Sequence, residues 1–216
     1  MKKISLLLVI ISFCFSQTIT PDAALQNLTD GNIRYVNQKF KSKDFRSDRE
    51  KQAKGQKPYA AILTCSDSRV PPEIIFDASL GELFVIRNAG NVVDPIVLGS
   101  IEYAVEHLNV PLILILGHTS CGAVTATVKG GEVPENIAAI VNSIEPAVKI
   151  AKPISKNESE LIKNSIEENV HLQVKEAILK SKIIKEYLEQ NKVKIYGGLY
   201  DIETGKVEFF EYKTEH

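Results

Sequence analysis

Short apolar runs, separated by segments with helical periodicity, are the feature that most limits the folds open to this chain. Residues 59–64 (YAAILT), 82–87 (ELFVIR) and 112–116 (LILIL) are runs of this kind. They lack the alternation of apolar and polar residues that marks a half-exposed strand, so they favour a parallel sheet with helices on both faces. Helical spacing over residues 95–108 separates the second run from the third. The sequence therefore predicts an α/β fold with a mainly parallel central β-sheet flanked by α-helices.

Further helices and two more strands complete this pattern. Thr20 and Pro21 form a helix start, and the helix is expected to extend to about Phe40. Residues 41–57 are charged and polar, which fits either a second helix or a surface stretch. The other predicted elements are helices at 135–148 and 158–190, and strands at 193–199 and 207–212. Since nothing in the sequence marks a second domain, we expect residues 17–216 to form one domain.

The first sixteen residues have the composition of a secretory signal peptide. Lys2 and Lys3 precede an apolar run at 4–15, and Ser16 offers a small residue at the expected cleavage site. A membrane-spanning helix needs roughly 20 apolar residues, so the run is too short to remain as an anchor. We therefore expect cleavage after Ser16, no stable membrane insertion, and a periplasmic or secreted mature protein. A buried N-terminal strand and a lipoprotein cleavage before Cys14 are the alternatives.

Composition argues against some partners and leaves two cysteines to explain. The formal net charge is −1, so nothing favours nucleic acid or an anionic membrane surface as a partner. The chain has three cysteines, which are too few for a disulfide scaffold. Removal of Cys14 with the signal peptide would leave Cys65 and Cys121.

Polar clusters follow two of the predicted strands at the point where each strand ends. Residues 65–69 (CSDSR) follow the first apolar run, and residues 117–122 (GHTSCG) follow the third. The carboxyl ends of parallel strands share one edge of a sheet, where sites form in open α/β folds. If the two strands are neighbours, Cys65, His118 and Cys121 converge.

Two thiolates and one imidazole are a ligand set that suits Zn²⁺. Cys65, His118 and Cys121 would leave one coordination position open for water, which is the pattern of catalytic rather than structural zinc. Asp67 could hydrogen-bond the metal-bound water or occupy the open position itself. Arg69 could pair with Asp67 through two hydrogen bonds and hold its carboxylate ionised. These residues predict hydrolytic or hydration chemistry.

Three other uses of the same residues stay open at this point. Cys65 and Cys121 could form a disulfide, because export leads to an oxidising compartment. Cys65 could act as a nucleophile with His118 as its base, although its C-x3-R spacing to Arg69 differs from the C-x5-R loop of thiol phosphatases. Phosphate binding is the third use, but the sequence has no Gly-rich P-loop. The residue types together favour a metal site over each of these.

Both polar clusters resemble the signatures of a known enzyme family, the β-class carbonic anhydrases. The matching segments are CSDSRV at 65–70, GELFVIRNAGN at 81–91, SIEYAVEHL at 100–108, GHTSCGAV at 117–124 and YGGLYDIETGKV at 196–207. The resemblance covers about residues 22–212. The resemblance implies the fold of that family. Within the family, the sequence resembles the plant-like branch, in an exported bacterial form.

The resemblance implies a role for each residue of the two clusters. It implies one Zn²⁺ per chain, with Cys65, His118 and Cys121 as the ligands. Asp67 and Arg69 would form a catalytic dyad. The implied reaction is the reversible hydration of CO₂ to bicarbonate and a proton through attack of zinc-bound hydroxide.

The substrate pocket of that family lies at a dimer interface, so the resemblance also implies a homo-oligomer, either a dimer or a tetramer. The substrate-binding residues that it implies are Gln56, Phe84, Ala89, Tyr103 and Gly122. Gly122 would let the backbone approach the substrate, and Ala89 stands where plant-like relatives often carry valine. Without the resemblance, Phe84 and Tyr103 would be interpreted as ordinary core aromatics.

Two alternative functions are compatible with these motifs. A zinc hydrolase of carbonyl sulfide or carbon disulfide would use the same attack on another linear molecule. A non-catalytic binding protein, stabilised by zinc or by a disulfide, belongs to a different class, and the Asp67 and Arg69 pair argues against it. The chain contains no tryptophan, which argues against the bicarbonate regulation of family members whose regulatory pocket includes one.

Overall fold

A five-stranded β-sheet forms the centre of the molecule, and helices pack on both of its faces. The computed structural model describes residues 19–212. The strands of this part of the chain are Ala60–Cys65 (β1), Leu83–Asn88 (β2), Leu112–His118 (β3), Lys194–Tyr200 (β4) and Val207–Tyr212 (β5). Their order across the sheet is β2-β1-β3-β4-β5, and all neighbours are parallel except β4 and β5. The predicted α/β fold with a mainly parallel sheet is confirmed.

Eight α-helices accompany the sheet within residues 19–212. They are Pro21–Val36 (α1), Phe45–Gln52 (α2), Pro72–Ile75 (α3), Pro95–Glu106 (α4), Gly122–Lys129 (α5), Glu135–Ala151 (α6), Glu158–Lys180 (α7) and Lys182–Glu189 (α8). None of the helices in this described part is long and apolar enough to cross a membrane. The predicted signal peptide at 1–16 lies outside the described residues, so it stays a prediction.

Two helix ends differ from the sequence prediction. α1 stops short of Phe40, because Gln38 takes a left-handed backbone conformation with φ 55° through which a right-handed helix does not continue. The segment 158–190 forms two helices rather than one. The break falls at Ser181, whose backbone is extended (φ −111°, ψ 112°) and whose hydroxyl accepts the N–H of Ile184 as the N-cap of α8.

Each face of the sheet carries its own apolar core. On one face, Leu63 and Ile113 pack with residues of α4, α7 and α8. On the other face, Ile62 and Leu114 pack with residues of α1 and α3. Successive residues of a strand point to opposite faces, so β1 and β3 are buried along their whole length. Burial on both faces explains why these strands have no polar alternation in the sequence.

β1 and β3 lie side by side and end at the same edge of the sheet. Their parallel register pairs Thr64 with Leu116, and the last residues of the two strands are Cys65 and His118. The chain passes from β1 to β2 on one side and then to β3 on the other, so the strand order reverses at β1. Such a reversal leaves a crevice beyond the carboxyl ends of the strands. The fold therefore brings both polar clusters to one crevice.

Candidate metal centre

Three residues with metal-ligating side chains meet at this crevice. Cys65 ends β1, His118 ends β3, and Cys121 is the residue that precedes α5. Their ligand atoms all lie within 4.8 Å of one another, near enough for small side-chain movements to bring all three to one ion at ligand distances of about 2.0–2.3 Å. All three side chains are buried, and both cysteines are free thiols. The two thiols are therefore not consumed by the disulfide that was one alternative.

The two ring nitrogens of His118 have different surroundings: one is hydrogen-bonded and the other has no partner in the described part of the chain. Nδ1 lies 2.9 Å from the carbonyl oxygen of Thr119, and a carbonyl can only accept, so Nδ1 carries the proton and donates it. Nε2 then holds the lone pair. This atom is buried and has no hydrogen-bond partner within residues 19–212. A buried acceptor beside two thiols fits a metal cation, and a backbone partner on the other nitrogen is the usual companion of a metal-binding histidine.

The pKa values of the two thiols are shifted in opposite directions. A hydrogen bond with Cys121 lowers the pKa of the Cys65 thiol to about 4, against the effect of burial, and the Gly90 N–H contributes to the lowering. The same hydrogen bond, with burial, raises the pKa of Cys121 above its usual range. The thiolate is the form that binds a metal. The site thus favours one buried thiolate, on Cys65, and a soft cation would offset the cost of a second one on Cys121.

Asp67 and Arg69 form a two-pronged ion pair at the mouth of the cluster. Arg69 Nε donates to Asp67 Oδ1 at 2.9 Å, and Arg69 Nη2 donates to Asp67 Oδ2 at 2.8 Å. The Arg69 backbone N–H also donates to Oδ1 at 3.0 Å. These hydrogen bonds from Arg69 hold the pKa of Asp67 well below its usual range. The ionised carboxylate stands beside the cluster, with Oδ2 at 4.0 Å from His118 Nε2.

Arg87 is a site residue that our sequence reasoning missed. It lies near the end of β2, and its guanidinium donates to the backbone carbonyl oxygens of Cys65 (3.1 Å) and Asp67 (2.7 Å). One side chain thus fixes the backbone of a candidate ligand and of its neighbouring carboxylate. The available signal was the position of Arg87 as the last residue of the predicted strand at 82–87.

The five predicted pocket residues divide into two groups. Gly122 is the first residue of α5 and follows Cys121 directly. Ala89 begins the 3₁₀ turn Ala89–Asn91, whose Gly90 N–H donates to Cys65 Sγ at 3.4 Å. Both are therefore next to the cluster within the same chain.

Gln56, Phe84 and Tyr103 do not join the cluster within one chain. Phe84 pairs with Ala61, which is four residues before Cys65 on β1, so it is roughly 13 Å away along the strand. The Phe84 and Tyr103 rings pack together with centroids 6.1 Å apart, and Tyr103 is 47% exposed. Gln56 is exposed in the segment before β1. Phe84 thus lies on the edge strand β2 and Tyr103 beside it on α4, while Gln56 lies in the exposed segment before β1.

Comparison with known proteins gives consistent matches. Residues 60–207 match a family model described as carbonic anhydrase. Carbonic anhydrase 2 of Mycobacterium tuberculosis is 39% identical to this chain over 194 residues, which are 86% of this chain and 91% of that protein. A carbonic anhydrase of Mycolicibacterium smegmatis is 38% identical over 193 residues, covering 87% of this chain and 92% of that protein.

Solved structures share the fold across nearly the whole chain. A crystal structure from work on two tetrameric β-carbonic anhydrases of the filamentous ascomycete Sordaria macrospora aligns with a TM-score of 0.71 and 25% identity. The alignment covers 90% of this chain and 97% of that one. The matched family segment includes both polar clusters, from Cys65 to Cys121.

Proposed function

Because the chain belongs to the β-class carbonic anhydrase family, whose reaction is the reversible hydration of CO₂ to bicarbonate and a proton, we propose that it carries out this reaction with one Zn²⁺ per chain. The proposed ligands are Cys65, His118 and Cys121. The observation that carries the proposal is the buried, unpartnered Nε2 of His118 beside two buried free thiols. Two sulfurs and one nitrogen are donors that zinc accepts, and three protein ligands leave room for a reactant.

Bound at this site, Zn²⁺ would lower the pKa of a water ligand from 15.7 to about 7 and so supply hydroxide at neutral pH. Asp67 would orient that reactant, because an ionised carboxylate can only accept hydrogen bonds and therefore selects an O–H that points toward it. Arg69 holds Asp67 in place and ionised through its two side-chain hydrogen bonds. Arg87 fixes the backbone on which Asp67 stands.

CO₂ is favoured over the other linear substrates considered. Carbonyl sulfide and carbon disulfide would undergo the same attack, but the relatives described above are carbonic anhydrases by name. A non-catalytic binding protein is also disfavoured. The paired Asp67 and Arg69 side chains stand beside the ligand cluster, and a metal site with a purely structural role has no use for them.

The direct test measures metal content and CO₂ hydration on the same purified sample. We expect zinc near one per chain and rapid hydration in a stopped-flow assay with a pH indicator. Sulfide release from carbonyl sulfide or carbon disulfide, assayed in parallel, should be slower than CO₂ hydration. A metal-free protein that lacks hydration activity and contains a Cys65–Cys121 disulfide would contradict the proposal.

We also propose that the active unit is a homo-oligomer in which a second copy supplies Gln56, Phe84 and Tyr103 to the pocket. Three observations support this. β2 is at the edge of the sheet, and α4 exposes Ile96 (80%) and Tyr103 (47%). The Sordaria macrospora relatives are tetrameric. A shared pocket would explain why these three residues stand apart from Cys65 in their own chain.

Oligomers that combine two different variant chains test whether the pocket is shared between subunits. Gln56→Ala should reduce hydration by about 10²-fold if the amide donates to a substrate oxygen, and His118→Ala should abolish it. Oligomers that contain both variant chains should regain activity, because the intact metal site of one chain would face the intact Gln56 of the other. The measurement is stopped-flow hydration on co-expressed, doubly tagged oligomers.

The matched control combines His118→Ala with Cys121→Ala chains. Each of these chains lacks one of its three metal ligands. Neither chain can form an intact metal site, so their mixture should stay inactive. If the Gln56→Ala and His118→Ala mixture is no more active than its components, Gln56 acts within its own chain and the shared pocket is wrong.

We propose two finer assignments from the sequence alone, the branch of the family and the location of the mature protein. Membership of the plant-like branch is supported by the identities of Gln56, Phe84 and Tyr103. Export to the periplasm or the medium is supported by Lys2, Lys3 and the apolar run that follows them.

A further inference from the structure

A backbone N–H reaches one of the candidate metal ligands from the turn after β2. Gly90 donates to Cys65 Sγ at 3.4 Å and has φ 76°, which favours glycine. A Cβ at this position would lie 2.7 Å from Ile144 Cδ1 and 3.2 Å from Ala123 Cβ. The turn is therefore enclosed by α5 and α6, and its N–H points at the sulfur only while the turn keeps this conformation.

Two amide side chains of α7 hold this turn from behind. Asn169 Nδ2 donates to the Gly90 carbonyl oxygen at 2.9 Å. Gln173 Oε1 accepts the backbone N–H of Val93 at 2.8 Å, and Gln173 Nε2 donates to Asn169 Oδ1 at 3.1 Å. A second acceptor for Gln173 Nε2 is the carbonyl oxygen of Ser143 on α6, at 3.3 Å. The amides thus form one chain of hydrogen bonds that ties the turn at Gly90, and the segment that follows it at Val93, to α7 and α6.

The burial of Asn169 and Gln173 requires an explanation beyond helix packing. They are 1% and 2% exposed and lie four residues apart, on one face of α7. Their neighbours on the buried side of the helix include Val170 and Val174, which pack in the apolar core. Burying an amide in such a core is costly unless its hydrogen bonds are satisfied. Here they are satisfied by the backbone of Gly90, Val93 and Ser143 and by the bond between the two amides.

We propose that Asn169 and Gln173 are positioning residues of the metal centre, which act through the Gly90 turn to keep its N–H on Cys65 Sγ. This inference rests on the proposed zinc site. Hydrogen bonds to a ligand atom tune how strongly it donates to a metal, and partners of this kind typically change metal affinity or activity by about 10–100-fold. Loss of the N–H contact should leave Cys65 a more electron-rich and less firmly placed ligand.

The test uses the full chain loaded with Co²⁺, whose thiolate charge-transfer absorption reports on the sulfur ligands. Asn169→Ala should move this absorption to lower energy and increase Co²⁺ release to a competing chelator by about 10-fold. Val174→Ala, on the same helix, is the matched control: it opens the core and lowers the denaturation midpoint. Both Co²⁺ readouts should stay at their wild-type values in this control.

Gln173→Ala gives an independent second test, because it removes the Val93 contact and keeps the Asn169 side chain. It should shift absorption and release in the same direction as Asn169→Ala. If the wild-type chain binds Co²⁺ and both amide variants give wild-type absorption and release, the positioning role is overturned while the metal site stands. A wild-type chain that binds no Co²⁺ would overturn the metal site itself, and this inference with it.

Discussion

Replacing His118 with alanine is expected to remove the metal and to slow CO₂ hydration by at least ~10³-fold. The side chain supplies the one nitrogen of the ligand set, and two sulfurs alone would hold the ion poorly. Without the metal, water keeps its ordinary pKa of 15.7 and provides almost no hydroxide at neutral pH. The measurements are zinc content per chain and stopped-flow hydration of the purified variant, with circular dichroism to establish that it is folded.

The matched control for this variant is His171→Ala. His171 is on α7 and packs against the Phe210 ring, with centroids 4.9 Å apart. This substitution also removes an imidazole, but from a position that plays no part in the proposed chemistry. Zinc content and the hydration rate should therefore stay at their wild-type values. A His118→Ala protein that still holds one zinc per chain and hydrates CO₂ at the wild-type rate would show that other residues bind the metal.

The Asp67→Ala variant is expected to keep its zinc but to lose most of its CO₂ hydration activity. The three ligands are unchanged, so the variant should keep its zinc. Hydration should fall by about 10²-fold or more, because the acceptor that orients the attacking water is gone and Arg69 loses the partner of both its side-chain hydrogen bonds. Zinc analysis and stopped-flow rates across a range of pH values give the two readouts on one sample.

Asp22→Ala is the control for removing a paired carboxylate. Asp22 accepts a hydrogen bond from Lys194 at 2.6 Å, and its side chain is 76% exposed. Surface pairs of this kind contribute little to stability, so the variant should behave like the wild-type enzyme. If Asp67→Ala matches Asp22→Ala in turnover at every pH, Asp67 has no role in the reaction.

The sequence predicted the elements that place the site, because the relevant signals were local. Runs without alternation indicated strands buried on both faces, and β1 and β3 are such strands. The rule that parallel strands end at a common edge then predicted that Cys65 and His118 converge if their strands are neighbours, and β1 and β3 are neighbours. The three-residue spacing to Cys121 added the last ligand. In this part of the chain, local pattern and overall topology agree.

Features that depend on tertiary contacts were not visible in the sequence. The break at Ser181 was missed because a serine inside a helical pattern carries no strong stop signal. Here its hydroxyl is needed both as the cap of α8 and as the donor to Glu102, at 2.5 Å. Asn169 and Gln173 looked like ordinary polar helix residues, and only the placement of the Gly90 turn shows why they are buried. Polar residues of this kind are identified by their partners rather than by their type.

The two edges of the sheet have different consequences for solubility. β5 carries the exposed carboxylates of Glu208 and Glu211, and charges of this kind discourage unwanted pairing with other strands. β2 begins with Leu83 and continues through three further apolar residues, all only partly covered in the single chain. An apolar edge is prone to aggregation, and the one charged residue of β2, Arg87, has its guanidinium hydrogen-bonded to the backbone of Cys65 and Asp67. The second copy that would complete the pocket would also cover this strand. Assembly would then protect a newly made subunit from aggregation, a benefit that is independent of catalysis.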